Sequence, residues 1–240
     1  MKIWRHFDFW LIGAVALLIA VQPDFSTCIL YGVIWLALLW PSGLRVSHLL
    51  IMGGAAVVLG IIGFFIALQS DEARYIAQRV IFFFLPASDT QEFRDATYNI
   101  TQALISVGSG GWFGQGYGAG SQVQSRFLKV RHTDFIFATI AHELGFVGAV
   151  FTIALFVFII FRIFQAGGRA RDTYGQLICY GIGTVIMFEA FSNIASNMDV
   201  LPVTGSPLPF VSYGGSSLWT FLAGIGLVES VVLRQKQIEF

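Results

Sequence analysis

Long apolar runs separated by short polar turns dominate the chain. Six of them read as bilayer-crossing helices: 9–21, 25–40, 48–68, 135–164, 176–200 and 208–233. A crossing takes about 20 largely apolar residues. The first run is short and closes on Gln22-Pro23-Asp24. Lys2 and Arg5 precede it, as in a signal peptide, but no small-x-small cleavage site follows and further spans do. It is therefore read as a helix. The expected fold class is all-α, a polytopic integral membrane helix bundle with about six transmembrane helices.

The polar turns orient that bundle, because Lys and Arg collect in cytoplasmic loops. With the N-terminus inside, Lys2 and Arg5, then Arg45, then Arg162, Arg169 and Arg171, and finally Arg234 and Lys236 all fall on the cytoplasmic side. The outside turns at 22–24 and 201–207 hold no Lys or Arg. Both termini are thus expected to be cytoplasmic. One connection is different: residues 69–133 form a long extracytoplasmic loop carrying charges and the glycines Gly108, Gly110, Gly111, Gly114, Gly116, Gly118 and Gly120. Loops beyond about 15 residues are usually functional or disordered. Apolar residues run through this one, so short amphipathic pieces on the membrane surface are expected. With no internal repeat, the chain reads as one domain, 1–240, with 69–133 a loop within it.

Composition narrows the function classes. Charged residues make up 12% of the chain and hydrophobic ones 56%, against roughly 25% charged in soluble domains. That excludes a soluble enzyme, and a disordered chain is excluded by the same apolar excess. Lys+Arg and Asp+Glu balance at 14 each, so nothing suggests the clustered positive face that nucleic acid requires. Cys28 and Cys179 lie inside apolar runs and read as small hydrophobes, with neither a disulfide framework nor metal-ligand spacing.

Three concentrations of polar residues stand out against this background. Glu189, Ser192, Asn193, Ser196 and Asn197 follow the spacing i, i+3, i+4, i+7, i+8, one helical face. Such a stripe either lines a water-filled cavity or supplies helix–helix hydrogen bonds. Next, Arg126, Lys129, Arg131, His132 and Asp134 cluster just before the fourth span. Cations beside one carboxylate can hold a diphosphate, and an ionised Asp at a membrane boundary can act as a general base. Equally, Thr133 or Asp134 would serve as an ordinary helix N-cap. His132 and His142 read as hydrogen-bonded interface residues. The third feature is 201–217, Leu-Pro-Val-Thr-Gly-Ser-Pro-Leu-Pro-Phe-Val-Ser-Tyr-Gly-Gly-Ser-Ser, where Pro202, Pro207 and Pro209 forbid continuous helix. Irregular backbone at membrane depth survives only under protein or beside a wet cavity, so this stretch either lines the cavity of the Glu189 stripe or makes a surface turn.

Taken together, Gly108-Ser-Gly-Gly111, Gly118-Ala-Gly-Ser-Gln122, Arg131-His-Thr-Asp-Phe-Ile-Phe137 and the 201–217 run resemble the SEDS family of bacterial membrane proteins (shape, elongation, division and sporulation). Gln22-Pro-Asp24 matches the same family, and the Arg-His-Thr-Asp run resembles its rod-shape branch. The resemblance implies a peptidoglycan glycosyltransferase of the bacterial cytoplasmic membrane. It would polymerise lipid II with release of undecaprenyl diphosphate, in cell-wall elongation and rod-shape maintenance, alongside a class B penicillin-binding protein. The family's essential Asp falls on Asp134. Arg126, Lys129, Arg131 and His132 are candidates for holding the departing diphosphate, and Glu189, Asn193, Asn197, Ser212 and Ser216 for lining the substrate site. No cofactor is identifiable, although a divalent cation could share the task of the cations. The implied partners are lipid II, membrane lipids and the penicillin-binding protein.

Family members carry about ten transmembrane helices where six are read here. By motif order the first four are missing, with the family's Pro-Ser-Glu-x-x-Lys-type segment, which suggests a fragment, a truncated gene model or a decayed paralogue. Two rival functions stay open: a lipid II flippase using Glu189, and a non-catalytic scaffold for the penicillin-binding protein.

Overall fold

The computed structural model describes residues 25–39, 54, 91–119, 132–203 and 205–235, and every regular element among them is helical. The chain divides into two compact units, Met1–Ala77 and Gln78–Phe240. In the first, α1 covers Phe25–Leu39. Its 15 residues rise about 22 Å, within the second predicted span. The predicted spans 9–21 and 48–68 lie outside the described residues, Gly54 apart.

The second unit contains α2 (Gln91–Ser109), α3 (Ile136–Gly168), α4 (Thr173–Asn197) and α5 (Gly215–Gln235). Helix α2 lies in the predicted 69–133 loop. Among the described residues three helices are long and apolar enough to cross a membrane: α3, α4 and Gly215–Arg234 of α5. They fall on the fourth, fifth and sixth predicted spans, with one shift. The sixth was expected to begin at 208, but helix starts only at Gly215, because Pro207 and Pro209 hold 205–214 in turns.

This unit buries polar side chains beside its apolar core and leaves large apolar ones exposed. Asn193 and Asn197 are 0% exposed, while Phe151, Phe158, Phe161 and Phe191 are at least 60% exposed. In hydrocarbon no hydrophobic force drives helices together, so buried polar and small residues help hold them and large apolar side chains can stay outside. The core between α3, α4 and α5 is built on Phe137, Phe156, Ile163, Ile186, Leu208 and Phe221. At the α3–α4 hairpin a side chain at Gly167 would meet Cys179 Cβ at 3.0 Å, which is why the two helices approach so closely there.

Helix α3 has 33 residues, about 50 Å of rise, well beyond the ~30 Å hydrocarbon core. A break at Gly145 (φ 70°, ψ −167°) resolves the excess. Residues 111–116 insert there and take over the backbone bonds the break frees. Phe146 N–H donates to Gly111 O (2.8 Å) and Val147 N–H to Trp112 O (3.1 Å). Gln115 N–H donates to His142 O (3.1 Å) and Gly116 N–H to Glu143 O (3.1 Å). The broken backbone is thereby satisfied and covered, as non-helical chain at membrane depth requires. What remains, 146–168, rises about 35 Å, one membrane thickness.

Candidate active site

Asp134 lies in the turn 132–135 that leads into α3. The helix N-cap position is Phe135, with no side-chain capping bond. The expectation that Thr133 or Asp134 would occupy it is therefore not met. The capping acceptor comes instead from another helix: Ala138 N–H donates to Asn197 Oδ1 at 3.0 Å.

The two asparagines of the α4 stripe converge on Asp134. Asn197 Nδ2 donates to Asp134 O at 2.8 Å, and Asn193 Nδ2 to the same oxygen at 3.0 Å. Asn193 also donates to Ser206 O (2.8 Å), and Asn197 to Asn193 O (2.8 Å). They sit one turn apart because α4 runs unbroken to Asn197. It then closes in a Schellman motif: Val200 N–H donates to Ala195 O (2.8 Å) and Asp199 N–H to Ser196 O (3.3 Å). Asp199 takes the left-handed position, φ 55°.

From there the chain returns over Asp134. Ser212 is the clip of a tight turn: its Oγ accepts from Leu208 N–H and donates to Thr133 O, both at 2.8 Å. Tyr213 N–H donates to His132 O at 2.8 Å. The turn forces Phe210 to φ 64°, an uncommon conformation for a bulky residue. Beneath it, Phe135 and Ala138 are buried with Ala103 of α2, and Val203 packs on them. The Asp134 side chain is half-buried. A methyl group added at Gly205, which has φ 71°, would stand 3.8 Å from Asp134 Oδ2. The absence of a side chain there leaves room beside the carboxylate.

The glycine segment abuts this region from the other side. A side chain at Gly110 or Gly114 would collide with the backbone of Ala141 or Glu143, so glycine is required for close approach. His142 is fully buried. Its Nδ1 lies 2.9 Å from Ser109 Oγ and 3.1 Å from Ser106 O, tying α2 to α3. Trp112, Phe113 and Tyr117 stay exposed, and Trp112 meets Phe146 edge-on at 5.2 Å. This is a membrane-interface composition.

The structure separates the expected site residues into groups. His132 and Asp134 come together with Asn193, Asn197 and Ser212. However, Asn193 and Asn197 are inaccessible, and these three side chains, expected to line a substrate cavity, bond to backbone instead. Ser216 is exposed on the first turn of α5, where its carbonyl accepts from Thr220 Oγ1 (2.9 Å). Glu189 is half-buried on α4, and its Oε2 is buried without a partner among the described residues. Arg126, Lys129 and Arg131 lie outside the described residues. Among the described residues no group of three or more His, Cys, Asp or Glu is placed to hold a metal ion.

Two cavities lie away from this cluster. One of about 560 Å³ runs between α3 and α5, past Phe158, Ile163 and Leu222 to Arg162, Arg169 and Glu229. The other, about 160 Å³, is lined by Arg171, Asp172, Tyr174 and Arg234. Neither includes Asp134 or Glu189. Two glycines carry positions that the residue pattern did not mark: Gly205, inside the 201–217 run singled out for its prolines, and Gly145, inside the fourth apolar span.

Residues 3–237 match the model of the FtsW/RodA/SpoVE family, described as cell cycle proteins. The chain is 42% identical over 233 residues to peptidoglycan glycosyltransferase MrdB of Escherichia coli, covering 95% of this chain and 60% of that protein. It is 38% identical over 221 residues to a probable peptidoglycan glycosyltransferase FtsW of Neisseria gonorrhoeae, covering 91% and 46%. Among solved structures, a peptidoglycan synthase complex that coordinates polymerization and crosslinking is similar at TM-score 0.75 and 26% identity, covering 99% of this chain and 65% of that one. A mutant of the Thermus thermophilus rod-shape-determining protein RodA is similar at TM-score 0.59 and 26% identity, covering 99% and 59%. The chain thus spans 60% of the E. coli relative's length and under half of the Neisseria one.

Proposed function

The chain belongs to the FtsW/RodA/SpoVE family of cell cycle proteins, and from that premise we propose that it is the polymerising part of a peptidoglycan glycosyltransferase. The observation that carries this reading is the Asp134 turn, which sets a half-buried carboxylate at the head of a membrane-spanning helix, beside a glycine that puts no side chain against it. Named relatives of the chain are themselves peptidoglycan glycosyltransferases.

In the proposed reaction Asp134 takes the proton from the GlcNAc 4-hydroxyl of one lipid II molecule. The oxygen attacks the anomeric carbon of the growing strand, a C–O bond forms, and the bond from that carbon to the diphosphate oxygen breaks. Undecaprenyl diphosphate leaves with the electron pair. Arg126, Lys129 and Arg131 are the residues proposed to meet the negative charge as it develops, since preorganised cations act best where charge appears in the transition state. A divalent cation would add to the same stabilisation.

The proposed topology follows the charges. Arg162, Arg169, Arg171 and Arg234 gather at the α3–α4 turn and the end of α5, which is assigned to the cytoplasm with both termini, within six spans. The opposite end, with Asp134, faces the extracytoplasmic side of the bacterial cytoplasmic membrane, where a class B penicillin-binding protein is the proposed partner.

A flippase is the second reading, favoured by the buried Oε2 of Glu189, which has no partner among the described residues, on a membrane-spanning helix. Liposomes holding the chain and a class B penicillin-binding protein, supplied with fluorescent lipid II, separate the two. A polymerase converts the label into long glycan strands. A flippase moves it between leaflets unchanged, and that result would displace the present reading.

A further inference from the structure

The first turn of α3 departs from helix geometry in an informative way. In a helix running back to Asp134, Ala138 N–H would donate to Asp134 O, the i to i−4 bond. Thr139 N–H to Phe135 O, at 3.2 Å, is a bond of that kind one residue on. At Asp134 the pair is split by the Asn197 amide, whose Oδ1 takes the Ala138 N–H and whose Nδ2 donates to Asp134 O. Asn193 supplies a second donor to that carbonyl, and Ser212 fastens the preceding one, Thr133 O.

Resting on the reading of Asp134 as general base, we propose that Asn193, Asn197 and Ser212 are positioning residues that wedge Asp134 out of the helix and fix the backbone that carries its carboxylate. A peptide unit is planar, so holding its carbonyl holds the whole plane. Ser212 holds the plane before the Asp134 Cα, and the two asparagines hold the plane after it. Backbone rotation on either side is removed, and only the side-chain torsions remain. Both carbonyl lone pairs of Asp134 are engaged, by donors on a helix that ends there. Without the wedge, α3 extends by one residue and carries the carboxylate round the helix axis. Displacement of a catalytic group by about 1 Å can cost on the order of 100-fold in rate.

The test uses the chain reconstituted with its partner and turning over lipid II. Asn197→Asp is the informative variant, since its carboxylate still accepts from Ala138 N–H while the nearer of the two donors to Asp134 O is gone. The expected result, read below the lowered thermal midpoint that a buried carboxylate brings, is a kcat about 10- to 100-fold lower with KM for lipid II unchanged. In the double variant Asp134→Asn/Asn197→Asp the rate should be no lower than in Asp134→Asn alone, because a positioning residue acts only through its target. If Asn197→Asp fails to fold, Ser212→Ala, which releases the plane on the other side, is read by the same criteria. Normal kcat, a loss carried by KM, or multiplied losses in the double variant would overturn the proposal. A wild type that makes no strands, or an Asp134→Asn variant as fast as wild type, removes the general-base reading itself and the positioning role with it.

Discussion

Asp199 holds the left-handed position that ends α4, with φ at 55°, where glycine is the usual occupant. That conformation costs an L-residue roughly 1–2 kcal/mol, while glycine loses about 0.5–1 kcal/mol through its freer unfolded chain. The first figure outweighs the second, so Asp199→Gly should stabilise the protein by about 0.5–1 kcal/mol. A raised thermal midpoint in detergent would show it, and a lowered one would mean that the Asp199 side chain is needed locally. At this scale the sequence was a good guide to which residues cluster and a poor guide to what they do. Asn193 and Asn197 were legible as one face of a helix. Their partners were not, because those are backbone carbonyls of Asp134 and Ser206, and no side-chain pattern records a carbonyl's position.

At the scale of elements, the break in α3 is the feature that hydrophobic pattern hides. The run from Phe135 to Phe164 is largely apolar, and apolarity says nothing about whether the backbone is continuous. The physical trace was split between Gly145 and a glycine series some thirty residues earlier, and only their packing joins them. Gly145 needs its positive φ, and a side chain there would run into the backbone of Phe113 and Gly114. Gly145→Ala should therefore expel 111–116 and strand four backbone bonds, each unsatisfied group costing about 1–3 kcal/mol. Limited proteolysis would report it as new cleavage between Gly110 and Gly118. Protection equal to wild type would show that the insertion does not depend on glycine. The 201–217 run was more legible: its prolines forbade helix, and the turn at Leu208–Ser212 is what they enforce.

At the scale of the molecule, the large apolar side chains left exposed on α3 and α4 and the asymmetry of Arg and Lys speak to the same arrangement. Three membrane-length helices were legible because period and length suffice for them. The membrane sidedness is checked directly by cysteine labelling on a background with Cys28 and Cys179 replaced by alanine. Tyr117→Cys should react with an impermeant maleimide added to intact spheroplasts, and Arg171→Cys only after lysis. Both positions are exposed, so the reverse pattern would invert the topology and place Asp134 on the wrong side for lipid II polymerisation.

The proposed reaction turns on one carboxylate. Asp134→Asn keeps the size of the side chain and every backbone bond to Thr133 and Asp134 while removing the base. Measured as the rate of glycan strand formation from lipid II, with the penicillin-binding partner present, the variant should fall by about 100-fold or more, with wild-type stability and partner binding. Strand formation at the wild-type rate would contradict the assignment of Asp134 and, with it, the mechanism built on this turn.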